Sequence, residues 1–522
     1  MKERTWFLTA FAVFLALGLL ASSQALPQGR QAARPEYKEL VSASQIKDAA
    51  ARLKEFERIK AAYPASQFMA GIERSIMAAK IELAGTLDAV LALQKDFLAK
   101  AQGPGRLQNP FMAADQILSH PKLATFNKAT VLATILKYKE EALKAADEPA
   151  TYQGIPQNQK DAFKSYFVRG FEIPVAQAYL NAGDPAKAIA ALDLYRNNGG
   201  PTDGVYFYTL AGALEKMNKP QETYEAFLSA SVENYADSTE RAKALFIKIR
   251  GSGEGFQAAL EAKLKAPPYQ SEPFKAPAAW KGKAVLAELF TGSECPPCVG
   301  ADLGIDGLIE SYPTKYLAIL EYHLPIPRPD PMMNPATRKR QDYYEINSTP
   351  TVVFDGEKRM TGGGSRGMAE GKYKQYKAEI DSRLGGDSAV TLKVKASLAG
   401  DTVKVEYDLG KAVPGAEYQV VLVQGEESYK GSNGLAFHKL VVRDLVTVNL
   451  AAGKRTSFDL AASERAADQY LTDFETTNRR FQGFKFPERH FKIDRTRLGV
   501  VLFAQDKETK KVLNAAVAEV TK

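Results

Sequence analysis

Two cysteines are the residues of this chain whose type and spacing could do redox chemistry. They stand in Cys295-Pro-Pro-Cys298, and the 522 residues contain no others. Two thiols separated by two residues in the first turn of a helix lie within bonding distance of each other. The apolar run 284–290 before them and the helical pattern 297–311 after them predict a strand-to-helix junction. A thiol at a helix N-terminus gains acidity from unpaired backbone N–H groups and from the helix dipole.

This placement predicts different roles for the two thiols. We expect Cys295 to be exposed and to exchange disulfides, and Cys298 to be more buried and to resolve the mixed disulfide. Zinc is disfavoured because it needs four ligands and a lone Cys-x-x-Cys supplies two. His323 with Met332 and Met333 would add soft ligands suited to Cu(I), so a copper-handling protein stays an alternative.

The segment 281–386 alternates between strands and helices. Strands are predicted at 284–290, 316–323 and 351–354, and helices at 297–311, 334–346 and 371–384. Strands joined by helices indicate an α/β sheet. The glycine-rich run 362–367 satisfies G-x-G-x-x-G but lacks the surrounding nucleotide-binding unit, so we interpret it as a turn into the last helix.

Residues 281–386 resemble the thioredoxin superfamily. The resemblance rests on Cys295-Pro-Pro-Cys298 after a strand and on Ser-Thr-Pro-Thr-Val-Val-Phe at 348–354, which matches the family's Thr-Pro segment. It implies a cis peptide bond at Pro350, which would shape the substrate groove beside the sulfurs, and it implies no cofactor. It also implies a buried carboxylate that accepts the resolving thiol's proton. Glu288 is the candidate for that role, and a solvent-facing strand residue is the alternative.

The region 37–264 is predicted to be helical, with apolar residues at three- and four-residue spacing. Two of its segments, 178–192 and 213–227, each read as a helix, a tight turn and a second helix. Their residues Pro185 and Pro220 lie 35 positions apart, close to the period of about 34 residues in tetratricopeptide repeats, which they resemble. The resemblance implies a concave surface that binds a peptide or a partner protein. A structural helical array without a ligand is the alternative.

The last part of the chain, 387–522, alternates apolar and polar residues over several short runs. This pattern predicts an antiparallel, β-sandwich-like domain, interrupted by one helix near 463–474. The predicted fold class is therefore multidomain: a helical, repeat-like domain (37–264), a thioredoxin-like α/β domain (281–386) and a β domain. About three domains is also what a length of 522 residues suggests.

The first residues are typical of a secretory signal peptide. Lys2 and Arg4 precede an apolar run of about 15 residues, and small residues follow it. We expect cleavage near Ala25, which removes 1–25 and gives a secreted or periplasmic protein where disulfides persist. No later segment is long and apolar enough to predict a membrane span.

The net charge of +8 comes from interspersed basic and acidic residues, so nucleic-acid binding is not indicated. The leading hypothesis is a thiol–disulfide oxidoreductase that acts on client proteins and has a redox partner protein, with the direction of electron flow open. The alternative is a binding scaffold whose helical domain holds partners, in which the disulfide is a static clip or a redox sensor. An exposed, acidic Cys295 would favour the first hypothesis, and a buried, unreactive disulfide would favour the second.

Overall fold

A computed structural model describes residues 35–278, 280–388, 390–448 and 453–522. The predicted signal peptide, 1–25, lies outside these ranges. The described residues form two compact units, the first made of 35–200 and Gly204–Phe256 and the second of Pro201–Asp203 and the described residues from Gln257 to Lys522. No helix in the described ranges is long and apolar enough to cross a bilayer.

The first unit is helical, and its apolar residues recur at the spacing that puts them on one helix face. Its helices are α1 (Pro35–Ser44), α2 (Ala49–Ala62), α3 (Met69–Leu83), α4 (Leu87–Ala99), α5 (Gly105–Leu118), α6 (Lys128–Ala146), α7 (Lys160–Gly170), α8 (Glu172–Ala182), α9 (Pro185–Asn197), α10 (Gly204–Lys216), α11 (Pro220–Ser231) and α12 (Ser238–Arg250).

Two helix pairs of this unit correspond to the repeat-like segments. The pair α8–α9 turns at Gly183, whose φ is +91°, and the pair α10–α11 turns at Asn218, whose φ is +55°. Both angles lie in the left-handed region that glycine and asparagine adopt most readily. Pro185 and Pro220 each occupy the first position of the second helix, where a missing N–H leaves no helical bond unmade. The local turns therefore follow directly from residue type.

The second unit is built on one mixed sheet. Its strands are β1 (Val285–Thr291), β2 (Leu317–His323), β3 (Thr351–Phe354), β4 (Lys358–Thr361), β5 (Lys393–Ala399), β6 (Thr402–Asp408), β7 (Ala416–Ser428), β8 (Phe437–Thr447), β9 (Arg455–Asp459), β10 (Leu498–Asp506) and β11 (Val512–Thr521). These 11 strands lie in the order β4-β3-β1-β2-β8-β7-β10-β11-β5-β6-β9. The pairs β1–β2, β2–β8 and β11–β5 are parallel, and the remaining neighbours are antiparallel.

Among the described residues, five helices belong wholly or mainly to this unit. They are α13 (Phe256–Lys265), α14 (Val299–Ser311), α15 (Pro335–Tyr344), α16 (Ala369–Leu384) and α17 (Leu460–Thr477). Alternate residues of β1 face opposite sides of the sheet. One side packs against α14 and α16, and the other packs against α15 and residues of β7 and β10. The two faces of β1 therefore contact different helices, which decides the surroundings of every polar residue on that strand.

The segments predicted as separate α/β and β domains share this sheet. Their strands meet where β2 pairs with β8, with Glu321 opposite Val441. One apolar core also contains Phe290 and Tyr322 from the first segment and Val421 and Phe503 from the second. The strand β9 was not predicted, because Arg-Thr-Ser-Phe-Asp is short and mostly polar.

Candidate redox site

The Cys-x-x-Cys motif joins the end of β1 to the start of α14, as the apolar run and the helical pattern predict. The turn is closed by the Cys295 amide, which donates to the Gly292 carbonyl at 3.1 Å. Residues Pro296–Cys298 then form one turn of 3₁₀ helix that runs into α14. Cys295 and Cys298 are joined in a disulfide, with their Cα atoms 5.3 Å apart.

The Thr349–Pro350 segment lies beside this disulfide. The Thr349–Pro350 peptide bond is cis, as the thioredoxin resemblance implies. The Thr349 hydroxyl donates to the Ile326 carbonyl at 2.7 Å and lies 3.4 Å from Cys295 Sγ. Residues some 50 positions apart in the sequence are therefore brought together around one sulfur.

The glycine-rich run 362–367 also borders the site, next to the Cys-x-x-Cys turn and the Thr349–Pro350 segment. The interpretation of this run as a turn did not predict that role. The Gly364 amide donates to the Pro297 carbonyl at 2.7 Å, and the Gly300 amide donates to the Gly364 carbonyl at 2.8 Å. A Cβ atom on Gly363 would lie 1.9 Å from Pro297 O and 2.8 Å from the Pro350 ring. The backbone of Pro297 and the ring of Pro350 therefore lie too close to Gly363 for any side chain there.

The accessibility of Cys295 differs from the prediction. The first thiol of the motif was expected to be exposed, but both cysteines are 0% exposed. Thr349 lies against Cys295 Sγ, and the loop between β7 and β8 bonds to the backbone that precedes Cys295. The spacing of a local motif carries no information about such distant segments.

The structure places Glu288 in a buried ion pair, so its predicted role as proton acceptor needs correction. Both its oxygens accept hydrogen bonds from Arg340, at 2.9 and 2.8 Å, and Tyr344 donates at 2.7 Å. Glu288 shares a side of β1 with Phe290, opposite the side that packs against α14. The alternative of a solvent-facing residue is also wrong, because Glu288 is fully buried.

Two other carboxyl groups lie on the α14 side of the strands. Asp302 is four residues after Cys298, which puts both on the same side of the helix. Its Oδ2 accepts from the Thr291 hydroxyl at 3.0 Å. Glu321 lies on β2 opposite Leu289, and its side of the strand packs against α14. Asp302 Oδ1 and Glu321 Oε1 have no hydrogen-bond partner among the described residues.

Burial governs the protonation of both groups. Removal from water raises the pKa of Asp302 to about 7, although the Thr291 hydrogen bond and His323 lower it. Burial, together with the charges of Asp302 and Asp306, raises the pKa of Glu321 well above its ordinary value. Burial therefore favours the protonated form of both acids, on the side of the strands that packs against the helix after Cys298. The spacing Cys298-x-x-x-Asp302 is a signal that sequence reasoning could have used.

His323 forms a buried pair rather than a ligand set with the methionines. Its Nδ1 lies 3.1 Å from Asp330 Oδ2, and Met332 and Met333 are buried. Although burial opposes ionisation, the charge of His323 and its hydrogen bond, with backbone N–H donors, lower the pKa of Asp330 to about 2. Within the described ranges, no group of three or more His, Cys, Asp or Glu residues could hold a metal ion.

Comparison with known proteins adds little to this geometry. No protein-family model matches the chain, and no curated protein matches it. A crystal structure of protein AGR_C_4864 from Agrobacterium tumefaciens is 16% identical, with a TM-score of 0.28. The match covers 46% of this chain and 94% of that one. At this level of similarity the match supports no inference about fold or function.

Proposed function

We propose that this chain is a thiol–disulfide oxidoreductase of the thioredoxin type, acting on protein substrates through Cys295 and Cys298. The observation that carries the proposal is the juxtaposition of the disulfide at the start of α14 with the cis Thr349–Pro350 bond, whose Thr349 hydroxyl lies 3.4 Å from Cys295 Sγ. A structural clip needs only the two cysteines. The cis Thr349–Pro350 segment beside the sulfur and the buried acids are features that suit thiol–disulfide exchange.

The proposed reaction starts from the disulfide. A client thiolate attacks Cys295 Sγ, the bond to Cys298 breaks, and Cys298 leaves as a thiolate that takes up a proton. A second client thiolate then attacks the client sulfur of the mixed disulfide and releases Cys295. The client loses two electrons and the Cys295–Cys298 pair gains them. The reverse sequence reduces a client disulfide, and the geometry is compatible with both directions.

The proton of Cys298 requires a nearby acid that is protonated near neutral pH. Asp302 and Glu321 are our candidates for this role, since both lie on the α14 side of the sheet and burial raises the pKa of each. Glu288 is not a candidate, because Arg340 and Tyr344 occupy its oxygens. We therefore assign proton transfer to the Asp302–Glu321 pair.

A signal peptide at 1–25 and export to an oxidising compartment are part of this proposal, because client proteins keep their disulfides in such a compartment. We further propose that the helical first unit holds client or partner proteins, through the two helix pairs that resemble tetratricopeptide repeats. Proteins with thiols or disulfides and a redox partner protein are the expected partners.

The burial of both cysteines favours a second candidate function. A disulfide that no solvent reaches could be a static clip or a redox sensor in a protein whose helical unit carries the binding function. The reduction potential separates the two candidates. The purified protein is equilibrated with glutathione buffers, and its free thiols are trapped and counted.

A potential above about −230 mV, with rapid exchange, would support the oxidoreductase, whereas one below about −300 mV with slow exchange would support the clip. The reduction of insulin disulfides by dithiothreitol, with and without the protein, gives the matching activity assay. Cys295→Ser should abolish any acceleration. Acceleration that survives this substitution would refute the assigned nucleophile.

A further inference from the structure

The loop between β7 and β8, residues 429–436, contacts both sides of the Cys-x-x-Cys motif. Its shape is set by its own hydrogen bonds. The Tyr429 amide donates to the Ala436 carbonyl at 3.1 Å, and the Gly434 amide donates to the Gly431 carbonyl at 3.1 Å. The Leu435 amide donates to Asn433 Oδ1 at 2.9 Å, a local turn typical of asparagine. The loop is therefore an ordered element.

Three of the loop's residues bond to the chain that leads into Cys295. The Asn433 amide donates to the Ser293 carbonyl at 3.0 Å, and Asn433 Nδ2 donates to the Gly292 carbonyl at 3.2 Å. The Ser432 amide and the Tyr429 hydroxyl both donate to Glu294 Oε1, at 3.3 and 3.2 Å. These bonds hold the loop on the residues immediately before the first cysteine.

The loop also contacts the helix that follows the second cysteine. Leu435 is buried against Val299 and Leu303 of α14 and Ala369 of α16. Gly431 packs so closely that a Cβ atom there would lie 2.2 Å from the Ser293 carbonyl oxygen. The loop thus spans the motif, with polar contacts before Cys295 and an apolar contact after Cys298.

We infer that residues 429–436 are a covering loop that closes the Cys295–Cys298 disulfide and determines which partners can exchange with it. Disulfide exchange needs an incoming thiolate to reach a sulfur atom, and both cysteines are fully buried. Four hydrogen bonds and the Leu435 contact attach the covering loop to the motif region, so we expect it to open locally without unfolding the sheet. Its use in substrate selection rests on the proposed oxidoreductase function.

The chemistry of the loop contacts indicates what could displace it. The carbonyls of Gly292 and Ser293 and the carboxylate of Glu294 all act as acceptors, and two of the loop's donors are backbone N–H groups. An extended polypeptide segment offers the same donors when it lies along this stretch. Glutathione is a tripeptide with two amide N–H groups, so it is too short to pair with this stretch as an extended segment does. The covering loop should therefore favour protein thiols over small thiols.

The experiment measures how fast tris(2-carboxyethyl)phosphine reduces the disulfide of the full chain, with released thiols trapped by a maleimide. The phosphine takes oxygen from water and gives two electrons to the disulfide, so no partner protein is needed. Asn433→Ala removes contacts with Gly292 and Leu435, and Tyr429→Phe removes only the hydroxyl on Glu294. Ser432→Ala is the matched control, because Ser432 contacts Glu294 through its backbone amide.

We expect Asn433→Ala to be reduced about tenfold faster than the wild type, Tyr429→Phe to be faster by a smaller factor, and Ser432→Ala to be unchanged. Circular dichroism establishes that each variant is folded. Equal rates of reduction by the phosphine in all four folded proteins would contradict the proposal that the loop covers the disulfide. A wild-type disulfide that is reduced as fast as oxidised glutathione would contradict it as well. Faster reduction of the loop variants, without any exchange between this protein and insulin, would support the covering loop but refute the proposed oxidoreductase function.

Discussion

At the scale of single residues, the space around Gly363 is the sharpest constraint on the site. The substitution Gly363→Ala puts a Cβ atom 1.9 Å from Pro297 O, so the motif or the Pro350 loop must move. We expect the free energy of unfolding to fall by about 1–3 kcal/mol and the acceleration of insulin reduction to be lost. Chemical denaturation and the insulin assay measure the two effects.

Gly371→Ala is the matched control for this substitution. Gly371 lies in α16 and nothing lies within 4 Å of an added Cβ there. Because alanine favours a helix over glycine, we expect the control to raise the free energy of unfolding by about 0.5–1 kcal/mol and to keep activity. A Gly363→Ala protein as stable and active as this control would contradict the close packing at the motif.

The buried carboxyl of Asp302 makes stability depend on pH. Burial raises its pKa from 3.8 to about 7, so the folded chain keeps this proton at pH values where the unfolded chain has lost it. The resulting stabilisation is fully present below pH 3.8 and is lost as the pH rises through about 7. We expect this group to lower the free energy of unfolding by up to about 1.4 kcal/mol per pH unit across that interval.

Urea unfolding of the wild type and of Asp302→Asn at pH 5 and pH 8 checks this expectation. The variant carries no titratable group at this position, so its loss of stability between the two pH values should be smaller. Asp387→Asn is the control, since the Asp387 side chain is 77% exposed. An Asp302→Asn protein whose stability falls as steeply as the wild type's would show that this carboxyl is not the group that titrates.

At the scale of elements, two buried acids lie on opposite sides of the sheet, and we expect them to have different roles. Glu321 on β2 shares the α14 side with the cysteine helix, and Glu288 lies on the other side with Arg340. We expect Glu321→Gln to slow insulin reduction by about 10- to 100-fold near neutral pH, because the carboxyl proposed to exchange a proton with Cys298 is lost. The pH profile of the rate should change as well.

Glu288→Gln should instead lower stability and leave the pH profile of insulin reduction unchanged. It leaves the buried Arg340 guanidinium without its counter-charge, which costs about 3 kcal/mol of the free energy of unfolding. Its pH profile for insulin reduction should match that of the wild type once the variant is folded. A changed pH profile in Glu288→Gln, with none in Glu321→Gln, would restore the assignment suggested by the thioredoxin resemblance.

At the scale of the whole molecule, the sheet of the second unit crosses the predicted domain boundary at 386. The Ala284 amide at the entry to β1 donates to Asn514 Oδ1 on β11 at 2.9 Å, and Arg340 on α15 donates to Gln505 Oε1 on β10 at 3.0 Å. We expect a fragment of 281–386 to be unfolded or aggregated, because it exposes half of an apolar core and the edge of β2.

A fragment of 257–522 should in contrast give the circular dichroism and cooperative unfolding of a folded mixed α/β protein, because it contains every strand of the sheet. Comparing the two fragments by chemical denaturation tests the boundary directly. A cooperatively folded 281–386 fragment would support the original division into a separate thioredoxin-like domain.

The sequence by itself determined the local structure and the chemistry of the motif. The strand, the Cys-x-x-Cys turn and the helix after it follow from apolar spacing and from proline at early helix positions, which act over a few residues. The turns at Gly183 and Asn218 are local in the same sense. The helical first part and the strand-rich remainder were predictable for this reason.

Only the tertiary structure decided which distant groups meet at the disulfide. The residues before Cys295 bond to a loop more than 130 residues away, and the buried acids near α14 depend on which side of β1 and β2 packs against that helix. Periodicity shows that a strand has two sides but does not say which helix will cover each of them. The covering loop, the pairing of Glu288 with Arg340 and the joined sheet all arise from such long-range packing.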